Sequence, residues 1–307
     1  VSMGAGVGFL SNAGDHSRYF EMVNISKDNE PVVIEQSKPI ASMMPDDLDL
    51  IAESKENGII IMGKKYQNKV FVYKWFDTGK ERLQSAWVEW ELTGQLIHHV
   101  IFDDAYFIVV RNEHDNIDTQ GEQVLTLQRI DLRRTLWTAV VDDVDMFTGE
   151  DSYHIHMDNY RVVWPTDMQY YRHLDQTYFR LPLGYYSDKT LAAYTLRFGE
   201  HQGRMAYPTV EIDSLGTWAV LEGNWEGTRM MLGYQFEMDV EFPTIMLQKQ
   251  SGKSWMSDSR SSLIIHRIKL DVGDWGTFET TLNRLGQPDY TQLYEARNED
   301  SYEANRP

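Results

Sequence analysis

His154, His156 and Asp158 alternate along the stretch HIHMD, and histidine and aspartate side chains are common metal ligands. Residues two apart on a β-strand project from the same face, about 7 Å from one another, so the three could face a common metal ion. A zinc site needs three or four ligands in a tetrahedral arrangement. Because no second cluster of comparable density occurs in the sequence, we expect polar strand residues here and no metal site.

Two acidic stretches could bind calcium through their oxygen atoms. They are DNIDTQGE at 115–122 and DDVDMFTGED at 142–151, and each contains a glycine. Neither has the EF-hand spacing, since the glycine and the final glutamate stand at the wrong offsets. We interpret both stretches as solvated loops and expect no cofactor.

The sequence gives no positive sign of catalysis. Cysteine is absent, which removes thiolate nucleophiles and disulfides, and neither GAGVG at 4–8 nor SGKSW at 251–255 has the context of a phosphate-binding loop. The 47 acidic residues offer many carboxylate pairs of the kind that cleave glycosides, so no particular pair is indicated. We therefore predict no catalytic residues and a protein that is not an enzyme.

The elements that must position these residues read as strands along nearly the whole chain. Short β-branched and aromatic runs separated by turn residues recur at intervals typical of β-sandwiches and propeller blades, without alternating amphipathic helices. The first such runs are at 30–36, 58–63, 68–76, 81–94, 96–104, 105–112 and 122–131. Pro45 with the two following aspartates predicts one short helix within 45–57. We expect an all-β fold.

A change in composition near residue 220 predicts two domains. We assign 1–220 to an irregular β-propeller-like region and 221–307 to a smaller antiparallel β-domain, a sandwich or barrel. In the second domain, every other residue from Met230 to Phe242 is apolar. The residues between them become acidic towards the end of the stretch, at Glu237, Asp239 and Glu241. This alternation predicts one long, half-buried strand.

The stretch ERLQSAWVEWELTG, residues 81–94, would place large aromatic rings on both faces of one strand. Trp90 shares a face with Val88 and Leu92, whereas Trp87 lies on the face of Glu89. We expect Trp90 in the core of its own sheet and Trp87 between blades or subunits, where tryptophan is a favoured anchor. The alternative is that both rings lie inside one two-layer domain.

The formal net charge of −18 limits the partners of the chain. Like charge repels the phosphate backbone, so we expect no sequence-specific grip on DNA. The sequence has no run of about 18 apolar residues, so we expect no membrane insertion. Since the chain begins with Val1 and ends on a polar stretch, we expect it to be a segment of a longer protein.

Set in order, several stretches resemble the tail tubular protein B family, the nozzle proteins of short-tailed bacteriophages. An EQS…P segment at 35–39 precedes VYKWFDTGKERLQSAWVEWELTG at 72–94, and later stretches at 230–248 and 259–282 are similar to later segments of that family. The residues that match the main motif are Tyr73, Lys74, Phe76, Gly79, Glu81, Arg82, Gln84, Ser85, Ala86, Trp87 and Trp90. The sequence departs from the family pattern at Trp275 to Phe278, which leaves that turn undefined.

The resemblance implies a structural protein of the virion tail, made in the cytoplasm of the host bacterium. Six copies would form a ring below the tail adaptor protein, contact tail fibres, and let phage DNA pass through the bore. Acidic residues would line that bore. They come from the loops 113–118 and 142–151, among them Asp142, Asp143 and Asp145, and from the later stretch with Glu237, Asp239 and Glu241.

The alternative is a tail-associated glycan-cleaving or glycan-binding β-propeller that acts on the host surface. Cleavage would require a cleft with two carboxylates, and binding would require an exposed aromatic platform beside polar side chains.

Overall fold

A computed structural model shows an all-β protein, as the strand-rich sequence predicts. It describes residues 6–24, 31–77, 82–113, 123–132, 157–181, 189–195, 205–242, 247–251, 254–258, 268–269, 278–283 and 286–294. Within these ranges the chain forms twenty-two strands in seven antiparallel sheets, two short 3-10 turns at Lys38–Ile40 and Pro165–Asp167, and no α-helix. The described part of the chain thus contains no helix that could cross a membrane.

The chain divides into two compact units, Val1–Gln235 and Phe236–Glu303. The division lies near a change from buried to exposed residues at Tyr234 and Gln235. The assignment of a propeller-like region to 1–220 and of a smaller antiparallel β-domain to 221–307 stays a prediction.

Three consecutive sheets make up the first half of the larger unit. We call them the first, second and third sheets. The first contains β1 (Gly6–Ser11), β2 (Arg18–Asn24) and β3 (Pro31–Glu35); the second β4 (Leu50–Ser54), β5 (Ile59–Gly63), β6 (Lys69–Asp77) and β7 (Arg82–Glu91); the third β8 (Gln95–Phe102), β9 (Ala105–Glu113) and β10 (Gln123–Asp131). Strands follow one another in space as they do in sequence, which is the connection that short antiparallel turns favour.

The second sheet is covered on both faces. Its alternate residues Ile59, Ile61 and Val72 pack with side chains of the third sheet, including Tyr106 and Ile108. The intervening set, Ile60, Met62, Phe71, Tyr73 and Trp75, packs with Tyr19 of the first sheet and with Met44 and Leu48. Strand β5 is therefore buried along its whole length, as expected for a strand enclosed between layers.

Two further sheets form the second half of the larger unit, and their strands interleave along the chain. The fourth sheet has the order β11 (Asp158–Val163), β18 (Met230–Tyr234), β14 (Leu191–Thr195) and β15 (Met205–Ala206); the fifth has the order β12 (Met168–Tyr171), β13 (Gln176–Arg180), β17 (Gly216–Glu222) and β16 (Thr209–Asp213). A shared core joins them, with Trp225, Phe179, Leu232 and Tyr234 fully buried in it.

The smaller unit contains two hairpins among its described residues. Strands β19 (Leu247–Ser251) and β20 (Ser254–Asp258) form one, and β21 (Phe278–Leu282) and β22 (Tyr290–Tyr294) form the other.

The short helix predicted within 45–57 is wrong. Residues Leu50–Ser54 form strand β4 instead, paired with β5 so that Leu50 lies opposite Gly63. Leu50, Ala52 and Ser54 are buried and the residues between them less so, which is the period of two of a strand. Pairing with β5 thus prevails over the helix-start signal of Pro45.

The long strand predicted from Met230 to Phe242 is also wrong in its length. Strand β18 ends at Tyr234, and its five residues are all buried because it lies between β11 and β14. Its partners end there too, since Tyr234 pairs with Asp158 on one side and Leu191 on the other. The Gln235 amide still donates to the Thr190 carbonyl, but residues 236–242 are exposed and belong to no strand, because alternation alone supplies no neighbouring strand.

Candidate functional site: a junction between two sheets

Trp87 lies where the first and second sheets meet. It is directly opposite Tyr73 on β6, and the ring centroids are 4.7 Å apart. Tyr19 of β2 approaches it edge-on, at 6.2 Å between centroids. The indole Nε1 donates a hydrogen bond of 3.0 Å to the backbone carbonyl of Gln36, just beyond β3. A single side chain of β7 is thus fixed by both sheets.

Arg82 forms an ion pair with a glutamate that has little access to solvent. Its Nη1 donates to both oxygens of Glu21, at 3.0 and 2.8 Å, and the Glu21 side chain is 3% exposed. The Nε donates to Asp77 at 3.2 Å, and the guanidinium stacks 5.4 Å from the centroid of the Trp75 ring. Gln36 Nε2 donates to Glu21 at 3.0 Å, so both carboxylate oxygens are satisfied.

Tyr73 connects the ion pair to the aromatic rings. Its hydroxyl accepts a hydrogen bond of 2.8 Å from Arg82 and donates one of 3.3 Å to the side-chain carbonyl of Gln36. The ring stacks on Trp75 at 5.7 Å between centroids. Hydrogen bonds and ring contacts therefore belong to one connected network, which stabilises more than isolated pairs do.

Burial sets the protonation states in this network. It raises the pKa of Tyr19 and of Tyr73, so both phenols keep their protons, and the Tyr73 hydroxyl can donate to Gln36. Burial also raises the pKa of Glu21, and the Arg82 guanidinium opposes that shift. For Arg82 burial acts to lower the pKa, but the nearby Glu21 carboxylate prevails and raises it, so the cation persists.

Serine hydroxyls hold the connecting segments against the same two sheets. Ser37 Oγ accepts from the Tyr19 amide at 2.9 Å, and the Gln36 amide donates to the Tyr19 carbonyl at 3.0 Å. Ser17 Oγ accepts from the Leu48 amide at 2.9 Å. Both serines are fully buried, and their bonds satisfy backbone groups that neither sheet pairs.

The junction is suited to holding two sheets in a fixed relation rather than to converting a substrate. Its charged and polar atoms bond to one another, and its rings are stacked within the chain. Among the described residues no group of three histidines and carboxylates could hold a metal ion.

The structure describes only some of the residues singled out in the sequence. Asp158 begins β11 and is half-buried, and burial raises its pKa. His154, His156 and both acidic loops, 115–122 and 142–151, lie outside the described residues. Glu237, Asp239 and Glu241 are exposed, in the unpaired segment after β18.

Trp90 and Trp87 pack on opposite faces of β7, as their alternation predicts. Trp90 packs against the core shared by the second and third sheets. The sequence predicts that Trp87 lies either between blades or between subunits. The structure places its ring between two sheets of the same chain. The two-layer alternative is wrong, because three sheets are stacked here.

Sequence reasoning missed Glu21, Tyr19 and the role of Gln36. One signal was available: in RYFEMVN, Glu21 alternates with Tyr19 and so lies on its face. A charged residue on an apolar face indicates a buried partner, but the sequence could not show that Arg82, 61 residues away, supplies it. Also missed was His99, buried on β8 with its Nδ1 2.8 Å from the Tyr106 hydroxyl.

The two sequence segments that carry the family resemblance meet at this junction. Gln36 and Ser37 of the first contact Tyr73, Trp87 and Tyr19. A family model described as bacteriophage nozzle protein matches residues 1–306, which confirms the resemblance. No match was found among curated proteins. Because the model spans nearly the whole sequence, the chain belongs to the bacteriophage nozzle protein family and is a structural component of the phage tail.

Proposed function

We propose that the chain forms part of a ring-shaped conduit through which phage DNA leaves the particle. Six copies would surround the bore, each contributing acidic side chains to its wall. Family membership and the net charge of −18 support this proposal. An acidic wall repels phosphates, so the DNA would slide past without being held.

The observation that carries the proposal is the character of residues 236–242. Phe236, Met238, Val240 and Phe242 are 46%, 80%, 52% and 70% exposed, although large apolar side chains are normally buried. They alternate with Glu237, Asp239 and Glu241, which are exposed as well. In an extended segment these two sets point to opposite sides. Laid on a neighbouring copy by its apolar set, the segment would present its acids to the bore.

The second sheet is consistent with a propeller blade. It is a four-stranded antiparallel meander in sequence order, and it is covered on both faces by other sheets. A ring of such blades would surround a central channel, and the loops between strands would lie at the two ends of that channel. We place the acidic loops 113–118 and 142–151 at the bore on this basis.

The remaining partners belong to the same proposal. The ring would sit below the tail adaptor protein and contact tail fibres, after synthesis in the host cytoplasm. DNA would be a passing cargo that the bore does not bind sequence-specifically.

The test replaces Glu237, Asp239 and Glu241 together by lysine in the intact particle. Exposed charges contribute little to folding, so the particles should assemble normally. The lysines would hold phosphates through counterion release, so DNA ejection should slow, and more at low salt than at high salt. Ejection is timed by release of a fluorescent DNA dye from purified particles.

A matched variant replaces the same three residues by their amides. It removes the acids without adding cations and should slow ejection far less.

A second variant, in which Asp142, Asp143 and Asp145 are replaced by lysine, tests the loop 142–151 in the same way. Unchanged ejection at every salt concentration in both lysine variants, in normally assembled particles, would contradict the conduit proposal. Electron microscopy of the purified particles tests the ring itself, which should show six-fold symmetry.

A further inference from the structure

The outer face of the fifth sheet is built mainly from aromatic and polar side chains, with Val220 buried between Tyr178 and Thr209. Successive residues of a strand alternate between faces, and the inward set, which includes Phe179, Ala219 and Leu221, fills the core shared with the fourth sheet. The outward set contains Tyr171 of β12, Tyr178 of β13 and Trp218 of β17, each half-buried. This surface is distinct from the junction at Trp87.

The three rings form a diagonal row across three neighbouring strands. Gln169 lies opposite Tyr178 and Tyr171 opposite Gln176, so the two tyrosines are diagonal neighbours, with ring centroids 5.2 Å apart at 87°. On β13, Arg180 is two residues beyond Tyr178. Trp218, on the adjacent strand β17, lies opposite Arg180 and is therefore a diagonal neighbour of Tyr178. Side chains so related are about 7–8 Å apart at their base, within reach of one ligand.

Hydrogen bonds hold each ring in place. The Tyr171 hydroxyl donates to Gln169 Oε1 and the Tyr178 hydroxyl to Gln176 Oε1, both at 3.0 Å. The indole Nε1 of Trp218 donates to Asp213 Oδ1 at 3.0 Å. Since the glutamine oxygens serve the tyrosines, their amide N–H groups are the donors that these side chains have left for a ligand.

Charged groups of both signs border the rings. Trp218 lies between Arg180 on β13 and Glu211 on β16. Glu222 lies opposite Gln176. Burial and the neighbouring Glu211 carboxylate raise the pKa of Tyr178, so its hydroxyl stays protonated. Donors and acceptors therefore alternate around a row of flat apolar surfaces.

We propose that this face binds a neutral oligosaccharide. A sugar ring presents apolar C–H groups on its faces and hydroxyls around its edge. The rings of Tyr171, Tyr178 and Trp218 suit the former, and the amide, guanidinium and carboxylate groups suit the latter. The acids at the rim, within a chain of net charge −18, disfavour anionic polysaccharides. The proposal is independent of the DNA conduit.

A protein partner would use the same residue types, since tyrosine, tryptophan and arginine are common interface anchors. The composition of the face favours the sugar. Nearly every ring has a polar neighbour in the next register position, whereas the centre of a protein interface is depleted of charge.

The test titrates the purified chain with maltohexaose, cellohexaose and chitohexaose, and with a heparin hexasaccharide as the anionic probe. Calorimetry should detect at least one neutral sugar with a dissociation constant of about 0.1–1 mM, typical of a shallow site. Trp218→Ala and Tyr171→Ala should each weaken that binding about tenfold, and Trp218→Phe, which keeps a flat ring, should weaken it less.

Trp164→Ala is the matched control. Trp164 is exposed too, but it belongs to none of the strands that carry the row, and its ring lies under the Arg229 guanidinium at 4.5 Å. Its replacement should leave sugar binding unchanged. Circular dichroism checks that each variant is folded.

The proposal would be overturned if no neutral sugar bound at a concentration of about 10 mM, since a weaker site would have no use. It would also be overturned if heparin bound more tightly than the neutral sugars. The third contrary outcome is sugar binding that persists in folded Trp218→Ala and Tyr171→Ala. Self-association of the chain that is lost in Trp218→Ala, without sugar binding, would assign the face to a protein interface instead.

Discussion

Two four-stranded sheets of this protein each contain a half-buried tryptophan that donates an indole hydrogen bond, Trp87 and Trp218, yet the two bonds do different things. In the second sheet, Trp87 donates its indole hydrogen bond to the Gln36 carbonyl, 51 residues away on another segment. In the fifth sheet, Trp218 donates to Asp213, five residues away at the end of the paired strand β16. The first bond joins two sheets, and the second only orients a ring within its own hairpin.

The difference lies in what opposes each face. Both faces of the second sheet meet another sheet of the chain, and the Glu21 carboxylate of its ion pair is nearly inaccessible to water, whereas the Arg82 side chain is 25% exposed. The fifth sheet has one face in a core and the other bordered by glutamine, arginine and acids. An aromatic residue on a strand therefore stabilises the fold in one place and is available for recognition in the other.

Breaking the buried ion pair should give the largest loss of stability. Arg82→Met leaves the Glu21 carboxylate buried without its cation and should lower the free energy of unfolding by about 3–5 kcal/mol. Arg180→Met, on the fifth sheet, should lower it by less than about 1 kcal/mol. Urea denaturation of both variants measures the difference.

A double variant sharpens this prediction. Glu21→Gln combined with Arg82→Met removes the uncompensated charge and should recover much of the loss. Equal destabilisation by Arg82→Met and Arg180→Met would show that the two sheets do not differ as described.

Removing each tryptophan should give the next largest contrast. Trp87→Ala loses contacts with Tyr19 and Tyr73 and the bond to Gln36, so we expect a loss of about 3 kcal/mol. Trp218→Ala should cost about 1 kcal/mol or less, because its ring borders polar side chains. Chemical denaturation followed by circular dichroism compares the two, and a larger loss for Trp218→Ala would reverse the assignment of roles.

The pH dependence of stability should differ between a buried histidine and an exposed one. Burial lowers the pKa of His99 to about 4 from its ordinary 6.5. The unfolded chain therefore takes up a proton at this residue near pH 6.5, and the folded chain only near pH 4. The contribution of His99 to stability is present above pH 6.5 and falls by about 3 kcal/mol as the pH drops to 4.

His99→Gln should remove that part of the pH dependence, so its stability difference from the original chain should shrink between pH 7 and 4. His173→Gln, at an exposed position of the second half, serves as the control and should follow the original chain. Parallel curves for His99→Gln and the original chain would contradict the assigned protonation.

Removing metal ions should have no measurable effect on either half. We expect dialysis against a chelator to leave the thermal melting curve unchanged, because a structural zinc site takes four protein ligands and no second cluster in the sequence complements His154, His156 and Asp158. Differential scanning calorimetry before and after dialysis checks this. A fall of many degrees that zinc or calcium restores would show that a metal stabilises the fold.

Local pattern predicted the first half better than the second. Its strands follow one another in space in sequence order, so runs of alternating residues bounded by turns translate directly into a sheet. In the second half the fourth and fifth sheets exchange strands along the chain, and pairing joins distant segments such as β11 and β18. No local pattern indicates which distant strand will be the partner.

The aromatic row of the fifth sheet shows the same limit. Tyr171, Tyr178 and Trp218 are spread over 48 residues, and none stands in a recognisable motif. They share a face only because β13 pairs with both β12 and β17.

The all-β class, the family, and the opposite faces of Trp87 and Trp90 could be read from the amino-acid sequence. These follow from composition, a matched motif and the period of a strand, all of which are local properties. The folded chain was needed to show that Pro45 opens no helix, that β18 ends at Tyr234, and that Glu21 meets Arg82. Each of these depends on a neighbour distant in sequence, because a strand ends where its partners end and a buried charge is stable only where its counter-ion lies.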